Sequence, residues 1–215
     1  RIGHGTVIAA GTVYRKDSPE GGKLLKGEAG TAGARDFHRG VYCDVGRKVR
    51  NNILYIAHLI ALKQWYLRVR LPLFREREFG PELCGGAIEK LDMAIEERVK
   101  RLGAFAETMA QASRLSGEIP GMAGAEADLR LGREVADTWP RIETCFTEGL
   151  EEAAALDERD RFLAALRDDR IDGAGYVETI RSLQGETKVL GTAWLQGIID
   201  RITREAFGAV PPLCQ

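Results

Sequence analysis

Ile2-Gly3-His4-Gly5-Thr6-Val7 and Ile8-Ala9-Ala10-Gly11-Thr12-Val13 are two consecutive hexads, and Tyr14-Arg15-Lys16-Asp17 follows them directly. Each hexad has an aliphatic residue first, a small residue second, Gly fourth and Thr fifth. That pattern suits a triangular coil of short parallel strands. The aliphatic side chain fills a narrow interior, and Gly admits the unusual dihedrals of a sharp turn. The plainer alternative is a β-hairpin or a Gly-rich loop that matches by coincidence. Three sides make one coil, so two hexads are less than a full turn, and about three stacked units are needed before such a structure can bury its apolar face. Further coils are therefore expected upstream or in another chain.

The hexads resemble those of the hexapeptide-repeat, left-handed β-helix proteins, and Val13-Tyr14-Arg15-Lys16-Asp17 is similar to the last coil of their acyltransferase members. A second stretch extends the resemblance. Arg47-Lys48-Val49-Arg50-Asn51-Asn52-Ile53-Leu54-Tyr55-Ile56, running on to Leu62-Lys63-Gln64-Trp65-Tyr66-Leu67-Arg68-Val69-Arg70, resembles the helical region after the β-helix in bacterial proteins related to UDP-N-acetylglucosamine pyrophosphorylase. Residues 1–75 carry this likeness. It implies the C-terminal segment of a sugar-nucleotide-related transferase, with the catalytic part largely outside this chain and a sugar nucleotide or coenzyme A as ligand. Hexapeptide acyltransferases deprotonate the acceptor with a histidine on a coil, a task for a base whose pKa lies near neutrality. His4 is the candidate for that role here, although it sits nearer the last coil than such a base generally does. Lys16 and Asp17 resemble the tail that approaches coenzyme A in those enzymes.

Composition sets wider bounds. The chain has 215 residues, 44% of them apolar and 29% charged, with 31 basic and 32 acidic side chains. Those proportions fit globular domains and exclude intrinsic disorder, collagen and a disulfide-stapled mini-protein. The longest apolar run, Ile53 to Leu62, is interrupted by His58. It falls far short of the roughly 20 residues of a membrane span. Cys43, Cys84, Cys145 and Cys214 form no Cys-x-x-Cys pair, so they read as free thiols in a reducing cytoplasm rather than as a zinc or redox motif. The opening at Arg1, with neither an initiator Met nor a charged-then-apolar leader, predicts a piece of a longer protein without a secretory signal.

Charge divides the chain. Residues 1–80 hold 15 basic against 7 acidic side chains, a net of +8, and residues 81–215 hold 16 against 25, a net of −9. This suggests either an internal complement between the segments or a basic surface facing an anionic ligand. No nucleic-acid motif interleaves these basic residues with aromatics, so nucleic acid is not an expected partner.

Ser18-Pro19-Glu20-Gly21-Gly22 has turn chemistry, and residues 18–43 are expected to form a linker loop leaving the coil. Asp36, His38, Cys43 and Asp44 are dense in reactive types. Their spacing matches no ligand pattern of known geometry, and no metal site is expected. Asp44 is expected to cap the helix that follows.

From Val45 to Leu71 the apolar residues Val45, Val49, Ile53, Ile56, Ile60, Leu67 and Leu71 recur at helical spacing, widened by Leu59, Leu62 and Trp65. The helix should end before Pro72, and His58 reads as a core histidine. A second helix is expected over 84–115, closed by Ser116-Gly117-Glu118-Ile119-Pro120-Gly121. A third is expected over 123–154, kinked or divided at Pro140. A shorter helix should run from Leu156 to Arg170, and a last one from Tyr176 to Phe207, stopped by Val210-Pro211-Pro212. Gly185, Gly191 and Gly197 sit inside that last helix, where close helix–helix approach would offset their cost. Acidic pairs such as Glu151-Glu152 and Asp168-Asp169 read as solvated faces.

The expected fold is thus mainly α: a short end-piece of left-handed parallel β-helix over 1–17, the linker, and an α-helical bundle over 44–215. No phosphate loop, nucleotide-binding glycine fingerprint, nucleophile elbow or zinc-protease motif appears, and the residues identify no cofactor. Two roles stand side by side. One is the transferase segment, its helical part capping the β-helix and supporting oligomerisation. The other is a non-catalytic helical scaffold. Self-association, as a trimer, is expected in both, because a bare terminal coil exposes unpaired backbone and apolar interior.

Overall fold

The computed structural model describes residues 1–27, 33–36, 41–114, 126–147, 156–169 and 174–210. The chain break expected at Ser116 to Gly121, the acidic pair Glu151-Glu152, His38, Pro211, Pro212 and Cys214 lie outside them. The described chain is mostly helical. Three strands come first: β1 (Val7–Ile8), β2 (Lys23–Lys26) and β3 (Gly33–Asp36).

β1 pairs in parallel with β2, Val7 opposite Leu24 and Ile8 opposite Leu25, so the chain stacks on itself seventeen positions later. An isolated parallel bridge joins Ile2 to Ser18. Gly3 N–H donates to the Ser18 carbonyl and Gly22 N–H to that of His4. Residues 18–26 therefore pair alongside residues 2–8 and are not the free linker that their turn-forming composition predicts. Two glycines make the approach feasible. A Cβ on Gly3 would lie 2.4 Å from the Glu20 backbone, and one on Gly21 would lie 2.3 Å from the His4 carbonyl oxygen. Gly5, Gly11 and Gly22 all have φ between 64° and 75°, the left-handed region that the fourth place of the hexad demands. The fifth-place threonines join the layers. Thr6 donates to the Glu20 carbonyl and Thr12 accepts from Gly27 N–H. β3 then pairs antiparallel with the other edge of β2, from Lys23 opposite Asp36 to Lys26 opposite Gly33. β1 is left as an edge of the sheet.

The helices follow. α1 (Val45–Trp65) buries Val45, Val49, Ile53, Ile56 and Ile60, the stripe its periodicity predicts. Asp44 does not cap it. Its backbone is left-handed, with φ 55°, and its side chain makes no cap. The cap comes from Asp128, 84 positions away, whose two carboxylate oxygens accept from Asp44 N–H at 3.0 Å and Val45 N–H at 2.8 Å. The anion serves both orphan donors and the positive end of the helix dipole. His58 is exposed rather than in the core, because it shares a face with Asn51, Tyr55 and Leu62, all of them exposed. Its Nδ1 lies 2.7 Å from the Leu54 carbonyl oxygen.

The helical path continues beyond the expected stop at Pro72. Tyr66–Arg70 form one π-helical turn, and Leu71 N–H reaches back five residues to the Tyr66 carbonyl. α2 (Leu71–Phe74) then carries Pro72 near its start. Proline has no N–H and its ring clashes with the carbonyl four residues back; widening the preceding turn relieves that clash. The extra residue also shifts the phase of the helix. Val69 becomes the fully buried side chain, while Leu67 and Leu71 are only half-buried.

α3 (Gly80–Arg114) lies against α1 and against α4 (Glu126–Asp137). α5 (Trp139–Thr147) begins after a break at Thr138, so the segment around Pro140 is divided in two, as expected. α6 (Leu156–Asp168) packs on α8 (Gly185–Ala209). Two contacts use missing side chains. Gly132 lets α4 close on Met109 of α3, and Gly103 of α3 lies under the Trp139 ring, where a Cβ would be 2.9 Å away. In α8 the reading of the glycines divides. Gly191 sits under Phe162, but nothing lies within 4 Å of a Cβ placed on Gly185. The long helix expected over 176–207 is in fact α7 (Tyr176–Ser182) and α8, separated at Leu183 and Gln184, whose backbones are extended. Asp169 holds that break: its carboxylate accepts from Gln184 N–H at 3.0 Å and from the Thr187 hydroxyl at 2.7 Å.

A single apolar core, including Ile56, Met109, Val135, Ile142, Phe162, Trp194 and Ile202, runs through the helices. No strand packs extensively on a helix among the described residues. No described helix is long and apolar enough to cross a membrane.

Candidate functional site

His4, Lys16 and Asp17 all lie in the segment before β2, and all three side chains are exposed. Different turns of that segment place them. His4 precedes the left-handed Gly5, while Lys16 and Asp17 precede Ser18, where the second layer begins. Asp17 pairs with the amino group of Arg1, and no hydrogen bond or ion pair joins His4 to Lys16 or Asp17 among the described residues. The segment thus presents a histidine, a lysine and a carboxylate to solvent, with no described contact that joins them into one catalytic group.

The apolar side chains of the coil are graded. Leu25 is fully buried, whereas Ile8 opposite it and Ile2, which bridges to Ser18, remain 43% and 46% exposed. The face of β1 turned away from β2 is therefore half open. Edge backbone groups and aliphatic side chains on that face are what a further parallel layer would cover.

A second constellation lies at the π-helical turn. The Arg70 guanidinium sits over three rings: Tyr66 at 4.8 Å, Tyr176 at 5.0 Å and Phe74 at 5.3 Å from the centroids. It donates to the Tyr66 hydroxyl at 2.7 Å. Phe74 and Tyr176 are themselves in tilted contact, at 5.5 Å between centroids. Arg77 covers Phe74 at 5.2 Å. The Tyr176 hydroxyl accepts from the Trp65 indole N–H at 3.0 Å. From Trp65 the stack continues through Phe162 to Trp194, each step 5.8 Å. Cation–ring contacts of this kind are worth about 0.5–2 kcal/mol each, depending on how dry they are.

Nothing in the hexads pointed to this cluster. The spacing of four between Tyr66, Arg70 and Phe74 was the available signal. Tyr176, which completes it, is a hundred positions away and invisible to local periodicity. The Nε of Arg68, in the same turn, is buried with no hydrogen-bond partner among the described residues.

Among the described residues no three His, Cys, Asp or Glu side chains stand where they could hold a metal ion. Of the described thiols, Cys43 is exposed, Cys84 is buried and Cys145 is intermediate, and all three are free. Burial, and secondarily the Glu205 charge, push the Cys145 thiol above its usual range. No family model, no curated protein and no solved structure matches this chain.

Proposed function

We propose that this chain terminates a left-handed parallel β-helix built from hexads, and that its helical bundle is a non-catalytic module organising the parent protein as an oligomer, with a trimer the expected order. The parent is proposed to be a sugar-nucleotide-related transferase whose catalytic part lies largely outside residues 1–215. One observation supports this reading best: parallel pairing at an offset of seventeen residues, close to the roughly 18 that three hexads make in one triangular coil. A hairpin or a loop would leave no reason for parallel pairing.

β3 occupies the far edge of β2, so the strands themselves close the coil on that side. The bundle is then free for association between subunits. In the transferase reading, His4 would act as the general base on a coil, and Lys16 and Asp17 would approach coenzyme A. Their separation argues for a supporting rather than a self-sufficient site.

Sedimentation equilibrium combined with calorimetric titration tests the proposal. The 215-residue chain is expected to form a defined oligomer and to give no saturable heat with UDP-N-acetylglucosamine, uridine triphosphate or acetyl-coenzyme A. A strictly monomeric chain at all concentrations would contradict the organising role. Saturable binding of acetyl-coenzyme A, lost in His4→Ala, would favour a catalytic coil instead.

A further inference from the structure

Several arginines of this protein are spent on carboxylates of their own helix. Arg101, Arg130, Arg161 and Arg201 each meet a carboxylate one helical turn away. Arg68, Arg70, Arg75 and Arg77 lie within ten residues, and none forms an ion pair with a described carboxylate. Glu76 and Glu78 flank Arg77 in sequence without bridging to it. Glu178 instead turns back to accept from Gly175 N–H at 2.9 Å.

Arg70 and Arg77 share the ring of Phe74, at 5.3 Å and 5.2 Å, and Arg70 also covers Tyr176. The Nη2 of Arg77 lies 2.6 Å from the place a Cβ on Gly175 would take, and the Glu178 Oε2 lies 3.6 Å from it, so the absence of that side chain leaves room for the Arg77 guanidinium. A guanidinium has five N–H donors in a rigid fork. Arg70 uses one of its donors on the Tyr66 hydroxyl, and the ring faces accept charge but not the remaining in-plane hydrogen bonds. Two forks over one aromatic ring, whose remaining donors have no partner among the described residues, match an oxyanion that accepts several hydrogen bonds at once. A doubly charged tetrahedral anion complements two guanidinium charges better than a single carboxylate does.

We propose that Arg70 and Arg77, seated on Phe74 and Tyr176, form a binding site for a phosphate-class anion. This site is independent of the β-helix reading, since every residue in it belongs to the helices or to Arg77 between them. The source of the anion is either free phosphate or the phosphomonoester group of a small molecule.

The test titrates the whole chain, at low ionic strength and constant pH, with inorganic phosphate and separately with glycerol 3-phosphate, with chloride as the reference anion. Saturable binding is expected for both phosphates. Tighter binding of the ester would identify a phosphorylated small molecule, and equal binding would identify the free anion. Arg77→Gln, at an exposed position, is expected to weaken binding about tenfold or more, the loss of a charge-assisted pair. Arg204→Gln, exposed on α8, removes the same charge elsewhere and is expected to leave binding unchanged. Arg70→Lys keeps the charge but not the fork, and should also weaken binding, with a circular dichroism melt showing that the fold survives. Phosphate binding no stronger than chloride, full binding in Arg77→Gln, or equal losses in Arg77→Gln and Arg204→Gln would each overturn the proposal.

Discussion

Replacing Gly191 with Ala should destabilise this protein although Ala is the better helix former. A Cβ at that position would meet three carbons of the Phe162 ring at 2.8, 3.0 and 3.2 Å, where ordinary contacts begin near 3.4 Å. The ring cannot simply step aside. Phe162 is 1% exposed and lies between Trp65 and Trp194 at 5.8 Å on either side. Overpacking a core of this kind costs about 1–3 kcal/mol. The gain from helix propensity returns about 0.5–1 kcal/mol. The net expectation is a loss of about 1–2 kcal/mol, or a melting temperature lower by roughly 3–6 °C for a chain of this size.

Gly86→Ala is the matched control. It makes the same chemical change inside α3, where nothing lies within 4 Å of the added carbon. There only the propensity gain remains, and stability should rise by up to ~1 kcal/mol. Urea denaturation of both variants, with unchanged slopes and shifted midpoints, reads the difference directly. If Gly191→Ala were stabilised as much as Gly86→Ala, the packing of α6 on α8 through Phe162 would be refuted.

Three further outcomes follow from particular contacts. Asp128→Ala removes both acceptors at the start of α1 and should cost about 1 kcal/mol in a urea titration, whereas Asp44→Asn, which keeps a residue tolerant of the left-handed backbone and removes no cap, should cost little. The Gln184 N–H and then the Thr187 hydroxyl hold the Asp169 carboxyl below its usual range. Its contribution to stability is therefore present above the unfolded-state carboxylate pKa and is lost as pH falls through the lower folded value; melting curves across that acid range should be flatter in Asp169→Asn. Iodoacetamide at neutral pH should label exposed Cys43 well before Cys145, whose thiol is raised mainly by burial, with equal rates for the two once the chain is unfolded in urea.

The parts of this fold legible in the sequence are those set by local rules. Ile53, Ile56 and Ile60 had to share a face because helical spacing leaves no other solution, and Pro140 had to mark a break because the chain there lacks a donor. Gly5 and Gly11 were readable in the same way, since the hexad requires a left-handed fourth place and both adopt it. What escaped depended on distant partners. The cap of α1 comes from Asp128 and not from adjacent Asp44, because a carboxylate that arrives on another helix can reach two N–H groups at once. His58 looked like a core residue because its neighbours in sequence are apolar, yet helical phase turns it outward with Tyr55 and Leu62. The π-helical turn before Pro72 displaced the apolar stripe, so Val69 took the buried place that spacing gave to Leu67. The parallel pairing ran further than the motif: Leu24 and Leu25 pair with Val7 and Ile8 without spelling a hexad. Of the candidate site, His4, Lys16 and Asp17 were legible as a pattern, whereas the cluster around Arg70 needed Tyr176 and could not be read locally.

Everything proposed for the opening segment depends on the direction in which it pairs. Nuclear Overhauser contacts between backbone protons of residues 1–9 and 18–26 measure that direction in solution. The account predicts interstrand amide-to-Hα contacts in parallel register, Val7 with Leu24 and Ile8 with Leu25. Close Hα-to-Hα contacts between these segments, which only an antiparallel ribbon produces, would contradict it.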